Sequence, residues 1–207
     1  MNDNHNSMDR KRAIQAHYEP RIKPDRPSYD VHDWSDPISQ QTRFDILIQE
    51  VPLAGKSLLD VGCGLGDLLD YLRVCSLEVD YTGVDLLPQM IKTARRLHPA
   101  GRFLTADIFR RNPFGNAKFD VVFCSGVFNL KLGNNDEFLR RAIGRLTRLA
   151  GQAIVINLLH HRSNSRHDHC HYYDPRQVND IVRRLGWSCR IRDDYLPHDF
   201  TAVCCPP

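Results

Sequence analysis

Three glycines at alternating positions give this sequence its clearest potential for chemistry. They lie in residues 58–66, LLDVGCGLG, where an apolar run containing Asp60 leads into Gly62, Gly64 and Gly66. Glycine lacks a Cβ atom, so a loop of this kind turns tightly and lets a ligand contact the backbone directly. The segment therefore predicts a nucleotide-binding loop between a strand and a helix.

The glycine spacing separates three kinds of nucleotide: a dinucleotide, the phosphate chain of ATP and S-adenosylmethionine. The dinucleotide fingerprint G-x-G-x-x-G needs its third glycine at the position of Asp67. A P-loop ends in Gly-Lys-Ser/Thr, whereas this loop provides no cation. A carboxylate at the start of the predicted helix also disfavours a phosphate group. The two phosphate-bearing ligands, a dinucleotide and ATP, are therefore disfavoured.

Carboxylates also follow the next two predicted strands. Asp85 can accept hydrogen bonds from a ribose diol, and Asp107 with Ile108 suits the amine and the face of an adenine. Each acid alone could be a solvated loop carboxylate, and nicotinamide cofactors share the same ribose. Together, at successive strand ends, they favour a nucleoside site at one edge of a sheet.

The elements that must position these residues alternate along the chain. Strands are predicted at 57–61, 80–84, 102–106, 119–124, 152–159, 187–193 and 200–205. Helices are predicted from 39 to Pro52 and at 67–73, 88–97, 136–149 and 174–185. This order predicts an α/β fold with a mostly parallel sheet and helices on both faces.

Residues 1–38 are predicted to form an N-terminal arm over a domain of residues 39–207. Residues 1–12 are polar and end in a basic cluster, so we expect disorder in part of this stretch. Four prolines before position 38 disfavour regular structure, while the aromatic rings of Tyr18 and Trp34 are expected to pack against the domain.

Composition narrows the class of protein. A chain of 207 residues with 42% hydrophobic and 26% charged residues predicts one globular domain. A net charge of +3 does not point to a nucleic-acid partner, and no apolar run indicates a membrane span or a signal peptide. Seven cysteines without a CxxC pair favour a reduced, cytoplasmic protein. We expect either a monomer or a homodimer.

Four segments resemble, in order and spacing, the motifs of class I S-adenosylmethionine-dependent methyltransferases. They are LLDVGCGLGDLLDYL, YTGVDLLPQMIKTAR, FLTADIF and FDVVFCSGVFN, and the resemblance covers residues 40–205. It implies a Rossmann-like, doubly wound sheet of seven strands whose last strand is antiparallel and lies beside the fifth. It also implies S-adenosyl-L-methionine as the cofactor. The arm and the C-terminal segment further resemble a group of small bacterial methyltransferases.

The resemblance implies that the glycine loop faces the methionine part of the cofactor. Gly62, Cys63, Gly64 and Gly66 would form this cradle, and Asp60 would support it.

Four residues would hold the nucleoside. Asp85 would bind the ribose with Leu86 against the adenine, and Asp107 and Ile108 would contact the adenine edge and face. Ser125 would offer its backbone to the methionine end.

Arg43 corresponds to an arginine that precedes the loop in ubiquinone-biosynthesis O-methyltransferases. A guanidinium there could clamp the methionine carboxylate. The alternative is an arginine on a solvated helix face.

The acceptor side is less defined. His160, His161 and Tyr18 are the candidate catalytic residues, and Asn129 and Asn157 are further polar candidates. The segment 160–173, HHRSNSRHDHCHYY, holds five histidines and one cysteine. In an extended strand His167, His169 and His171 would share a face, which suits a metal ion. We otherwise expect no metal, with either a catalytic histidine or an exposed loop that is rich in histidine.

These observations predict a methyltransferase that acts on a small molecule by in-line transfer. The alternatives are a protein or RNA methyltransferase and a non-catalytic module that binds S-adenosylmethionine. The segment after the fourth strand, CSGVF, lacks the Asn/Asp-Pro-Pro-Tyr motif of amino-methylating DNA enzymes.

Overall fold

A seven-stranded sheet organises the computed structural model, which describes the backbone of residues 2–207 and the side chains from Ser7 onward. The strands are β1 (Ser57–Val61), β2 (Asp80–Asp85), β3 (Arg102–Thr105), β4 (Phe119–Ser125), β5 (Ala150–Leu159), β6 (Ser188–Arg192) and β7 (Asp199–Cys205). The helices are α1 (Asn2–Tyr18), α2 (Ser28–Val31), α3 (Pro37–Glu50), α4 (Asp67–Val74), α5 (Pro88–Leu97), α6 (Asn135–Leu149) and α7 (Pro175–Arg184).

The strand order is β3-β2-β1-β4-β5-β7-β6. Strands β1 to β5 pair in parallel, whereas β7 is antiparallel to both β5 and β6. The prediction of a doubly wound sheet with an antiparallel last strand beside the fifth is confirmed. The order reverses between β1 and β4, so their carboxyl ends border the crevice where ligands bind in such sheets.

The central strands are apolar on both faces because helices cover both faces. On β1, Leu58 faces α3, α4 and α5, while Leu59 faces α6 and α7. On β4, Val121 and Val122 divide in the same way, and all four side chains are fully buried. The period of two residues thus sends alternate side chains into two cores.

The arm begins with a helix. Asn2 to Arg12 belong to α1, and the expectation of disorder in part of residues 1–12 stays a prediction; Met1 lies outside the described residues. The four prolines all follow this helix, so they restrict only the segment after Tyr18. Among the helices of residues 2–207, none is long and apolar enough to cross a membrane.

Helix α3 begins earlier than its apolar pattern predicted. Asp36 caps it by accepting a hydrogen bond from the Ser39 backbone N–H at 2.8 Å, and Pro37 occupies the first turn. Both features are typical helix starts, and they place Arg43 in the middle of the helix.

Candidate active site

The glycine loop connects β1 to α4 at the switch point of the sheet. Gly62, Gly64 and Gly66 have φ angles of 73°, 53° and 90°, which L side chains rarely adopt. A Cβ atom on Gly62 would clash with Val127, and one on Gly64 would clash with the His32 ring. Both the backbone conformation and the close packing therefore require glycine.

Asp85, at the end of β2, fixes this loop. Its carboxylate accepts hydrogen bonds from the backbone N–H of Gly64 at 3.1 Å and of Leu87 at 2.8 Å. Burial raises the pKa of the Asp85 carboxyl, while these backbone donors oppose the increase. The carboxylate thus joins the first two strand ends and borders the cavity between them.

Asp60 lies below the loop on β1. It is buried and accepts a hydrogen bond from the Tyr81 hydroxyl at 2.7 Å. Burial raises the pKa of the Asp60 carboxyl to about 7, partly offset by the Tyr81 hydrogen bond. Its charge is therefore sensitive to any cation that enters the cavity.

A cavity opens above these residues, at the carboxyl ends of the parallel strands. Nine of the eleven residues predicted to bind the cofactor line it: Asp60, Gly62, Cys63, Gly64, Asp85, Leu86, Asp107, Ile108 and Ser125. Gly66 lies at the start of α4, outside this lining. The sequence therefore places most of the predicted residues around one space.

Helix α1 crosses this cavity, which sequence analysis did not anticipate. The Arg10 guanidinium contacts the Asp107 carboxylate at 2.6 Å and lies 4.3 Å above the Phe138 ring. The Ser7 hydroxyl donates to the same carboxylate at 3.3 Å. The basic cluster at residues 10–12 was the only sequence signal for this contact, and it was assigned to a stretch that we expected to be partly disordered.

His32 of the arm supports the glycine loop from outside. The Leu65 backbone N–H donates to His32 Nε2 at 3.1 Å, and His32 Nδ1 lies 3.1 Å from the Asp67 carboxylate. Although burial opposes it, His32 lowers the pKa of the Asp67 carboxyl. Gln40 also donates to Asp67, at 2.9 Å. Asp67, whose carboxylate disfavours a phosphate group at the start of α4, therefore anchors the arm.

Arg43 lies apart from the glycine loop and outside the lining of this cavity. Its guanidinium forms an ion pair with Asp199, donates to Asn157 Oδ1 at 3.1 Å and stacks 3.9 Å from the Trp34 ring. Only 2% of its side chain is exposed, which contradicts the alternative of a solvated arginine. The structure instead places it in a buried polar network, with Asn157 as its second member.

A second cavity adjoins the first, between the arm and segment 160–173. Tyr18, His32, Trp34 and Gly126 line both cavities. Asn129 lines the second cavity, is buried, and has no hydrogen-bond partner for its Oδ1 among the described residues. An unpaired buried acceptor is costly, so this atom is available to a ligand donor.

The candidate catalytic residues separate into two groups. His160 is buried and accepts the Arg162 backbone N–H at 3.1 Å, and the His161 ring contacts the Tyr173 carbonyl at 3.2 Å. Neither lines either cavity. Tyr18 lines both, and burial raises the pKa of its hydroxyl, which keeps it protonated at neutral pH.

The three alternating histidines do not share a face. His167 and His169 line the second cavity, whereas His171 turns to Asp136 at 3.2 Å. The prediction of a common face assumed an extended strand, but turns interrupt this segment. The structure brings His169 instead to His17 and Asp33 of the arm.

The fold and the first cavity define a class: Rossmann-like proteins that bind a nucleoside at the switch point. A methyltransferase domain family model matches residues 58–151. The chain is 31% identical over 154 residues to putative methyltransferase Rv1506c of Mycobacterium tuberculosis, covering 71% of this chain and 91% of that protein. It is 32% identical over 185 residues to a ubiquinone biosynthesis O-methyltransferase of Thiobacillus denitrificans, covering 75% and 78%.

The fold also matches magnesium protoporphyrin IX methyltransferase from Synechocystis PCC 6803 with bound S-adenosylhomocysteine. The TM-score is 0.67 at 16% identity, covering 97% of this chain and 94% of that one. The chain belongs to the S-adenosylmethionine-dependent methyltransferases, and S-adenosylmethionine is its cofactor. It spans between 27% and 61% of the length of several other curated methyltransferases that it matches.

Proposed function

We propose that this methyltransferase acts on a small molecule that binds in the second cavity. The observation that carries the proposal is the shared lining of the two cavities by Tyr18, His32, Trp34 and Gly126. An acceptor in the second cavity would lie next to the cofactor. The arm and segment 160–173 cover this position, so it suits a small molecule better than a protein or RNA surface.

The residues that line the first cavity suit the successive parts of the cofactor. The glycine loop would hold the methionine portion, with Asp60 and Ser125 beside it. Asp85 would accept hydrogen bonds from the ribose hydroxyls, and Leu86 would contact the adenine, since both residues line this cavity. When bound, S-adenosylmethionine supplies a methyl group on a sulfonium with a good leaving group.

Asp107 and Ile108 are the residues proposed for the adenine edge and face. The Asp107 Oδ1 atom accepts the Phe109 backbone N–H at 3.1 Å, and Oδ2 faces Arg10. Each carboxylate oxygen has more than one acceptor site, so the adenine amine can share this group with α1.

The chain's own contribution is to orient the acceptor and exclude water. Asn129 Oδ1 would accept a hydrogen bond from the acceptor, since it has no partner among the described residues. Tyr18, with its hydroxyl protonated, would donate one. The names of two similar proteins, in ubiquinone biosynthesis and on magnesium protoporphyrin IX, agree with a low-molecular-weight acceptor.

The test uses radiolabelled S-adenosylmethionine and a cell extract separated into small-molecule, protein and RNA fractions. We expect the label in the small-molecule fraction. Label transferred mainly to protein or RNA would contradict the proposal.

Asn129→Ala should lower this transfer by about two- to tenfold, because one hydrogen bond contributes about 0.5–1.5 kcal/mol. The affinity for S-adenosylhomocysteine should not change. Asn164→Ala, at an exposed position of segment 160–173, is the matched control and should keep full transfer. Equal activity of the two variants would remove Asn129 from the acceptor site.

A further inference from the structure

Two histidines and one aspartate converge at the edge of the second cavity. Asp33 Oδ2 lies 2.9 Å from His17 Nε2 and 3.0 Å from His169 Nε2. The potential ligand atoms of the three side chains all lie within 4.8 Å of one another. Ligand atoms of a tetrahedral zinc ion are about 3.4 Å apart, given bonds of about 2.0–2.1 Å. Small side-chain rotations would therefore enclose an ion.

The three residues come from separate parts of the chain. His17 ends α1, Asp33 follows α2, and His169 lies in segment 160–173. Two imidazoles and one carboxylate form a ligand set that suits divalent transition metals and leaves positions open. Asp33 also has a φ angle of 61°, a conformation that is uncommon outside glycine and that clusters at functional sites.

We propose that His17, Asp33 and His169 bind a divalent transition-metal ion, for which Zn²⁺ is the reference case. All three ligands line the second cavity, so an open coordination position would be available to the acceptor. His167 and Cys170 line the same cavity and are the candidates for a fourth protein ligand.

One cationic side chain adjoins the three proposed ligands. Arg21 lies 3.1 Å from Asp33 Oδ1, whereas Asp33 Oδ2 contacts both histidines, so Oδ2 is the oxygen that we assign to the ion.

An ion here would activate the acceptor as a nucleophile. It would lower the pKa of an acceptor hydroxyl or thiol coordinated to it. The acceptor's proton would pass to solvent, and the new bond to the methyl carbon would form as the carbon–sulfur electron pair moves to sulfur. This role rests on the proposed function of the second cavity, whereas binding of the ion does not.

The test is a titration of the full chain, freed of metal by a chelator, with Zn²⁺ and with Co²⁺ in the absence of cofactor and acceptor. Calorimetry should show one tight site, and Co²⁺ should give the visible absorption of a low-symmetry site. His169→Ala and Asp33→Asn should each weaken Zn²⁺ binding at least about tenfold, because each removes one ligand.

His171→Ala is the matched control, two positions further along the same segment and in contact with Asp136 instead. It should keep the wild-type affinity for Zn²⁺. Calorimetric binding of S-adenosylhomocysteine identifies the variants that remain folded. Absence of a tight site in the folded wild type, or equal weakening by His169→Ala and His171→Ala, would overturn the proposal. Tight Zn²⁺ binding combined with methyl transfer to protein or RNA would support the metal site and contradict the proposed acceptor.

Discussion

The two cavities meet at four residues, but they are built in different ways. The first cavity, which we propose for the cofactor, has its floor in strand ends and one glycine loop, and backbone N–H groups bind its carboxylates, while the arm covers it. The second cavity is formed by the arm and by segment 160–173, where side chains such as Asp33 and His169 contact one another. The sheet thus provides the floor of the first cavity, while segments outside the sheet shape the second, where we propose that the acceptor binds.

Asp85→Ala should give the largest effect on ligand affinity, and it tests the cavity at the strand ends. It removes a carboxylate proposed to hold two ribose hydroxyls, each bond worth about 1.5–3 kcal/mol. The affinity for S-adenosylhomocysteine should therefore fall by about 3–6 kcal/mol, measured by calorimetry. Asp80→Asn, at the exposed start of the same strand, should leave it unchanged. An unaltered affinity of Asp85→Ala would refute the ribose role.

The next effect is a pH dependence that Asp60 imposes on stability. Burial raises its pKa from 3.8 to about 7, so its folded state favours the protonated form. The contribution of protonated Asp60 to the free energy of unfolding is fully present below about pH 4. It is lost as the pH rises through 7, by about 4 kcal/mol in total. The free energy of unfolding in urea is measured against pH for the cofactor-free wild type and for Asp60→Asn. The wild type should lose stability relative to Asp60→Asn as the pH rises. Parallel curves from pH 4 to pH 8 would contradict it.

Gly64→Ala should have an effect of about 2–4 kcal/mol on the free energy of unfolding. It combines the strain of a positive φ angle, about 1 kcal/mol, with a steric clash against His32, about 1–3 kcal/mol. Gly115→Ala shares the positive φ angle but meets no atom within 4 Å, so it should cost only about 1 kcal/mol. If the two variants lose the same stability, close packing between the arm and the loop does not matter.

Arg10→Gln should have the smallest effect on stability, about 1–2 kcal/mol, since it removes one largely buried ion pair with Asp107 while glutamine keeps a hydrogen-bond donor. Because α1 crosses the cofactor cavity, S-adenosylhomocysteine should dissociate a few times faster, as measured by stopped-flow displacement. Arg12→Gln, on the exposed side of the same helix, is the control. Identical dissociation rates would show that α1 does not retain the cofactor.

Most of the lining of the first cavity was predictable because its signals are local in the sequence. The glycine spacing, the strand before it and the acids after β2 and β3 each lie within a few residues of the atoms they position. The strand order was accessible only through the family resemblance, since no pattern in the chain indicates that β7 enters between β5 and β6.

The second cavity was not predictable in the same way. Asp33 and His169 lie far apart in the chain, and only the packing of the arm brings them together. The alternation of histidines was a misleading signal because turns interrupt the segment that carries them. The spacing of Arg43 suggested a cofactor clamp, but its partner Asp199 comes from the distant β7.

The residues common to both cavities have a consequence for kinetics. Tyr18, His32 and Trp34 all belong to the arm, and His32 also holds the glycine loop through Leu65. An arm movement that admits an acceptor therefore also loosens the cofactor loop. We expect the exchange of S-adenosylhomocysteine and the release of methylated product to share one barrier, so that turnover is limited by a single opening event.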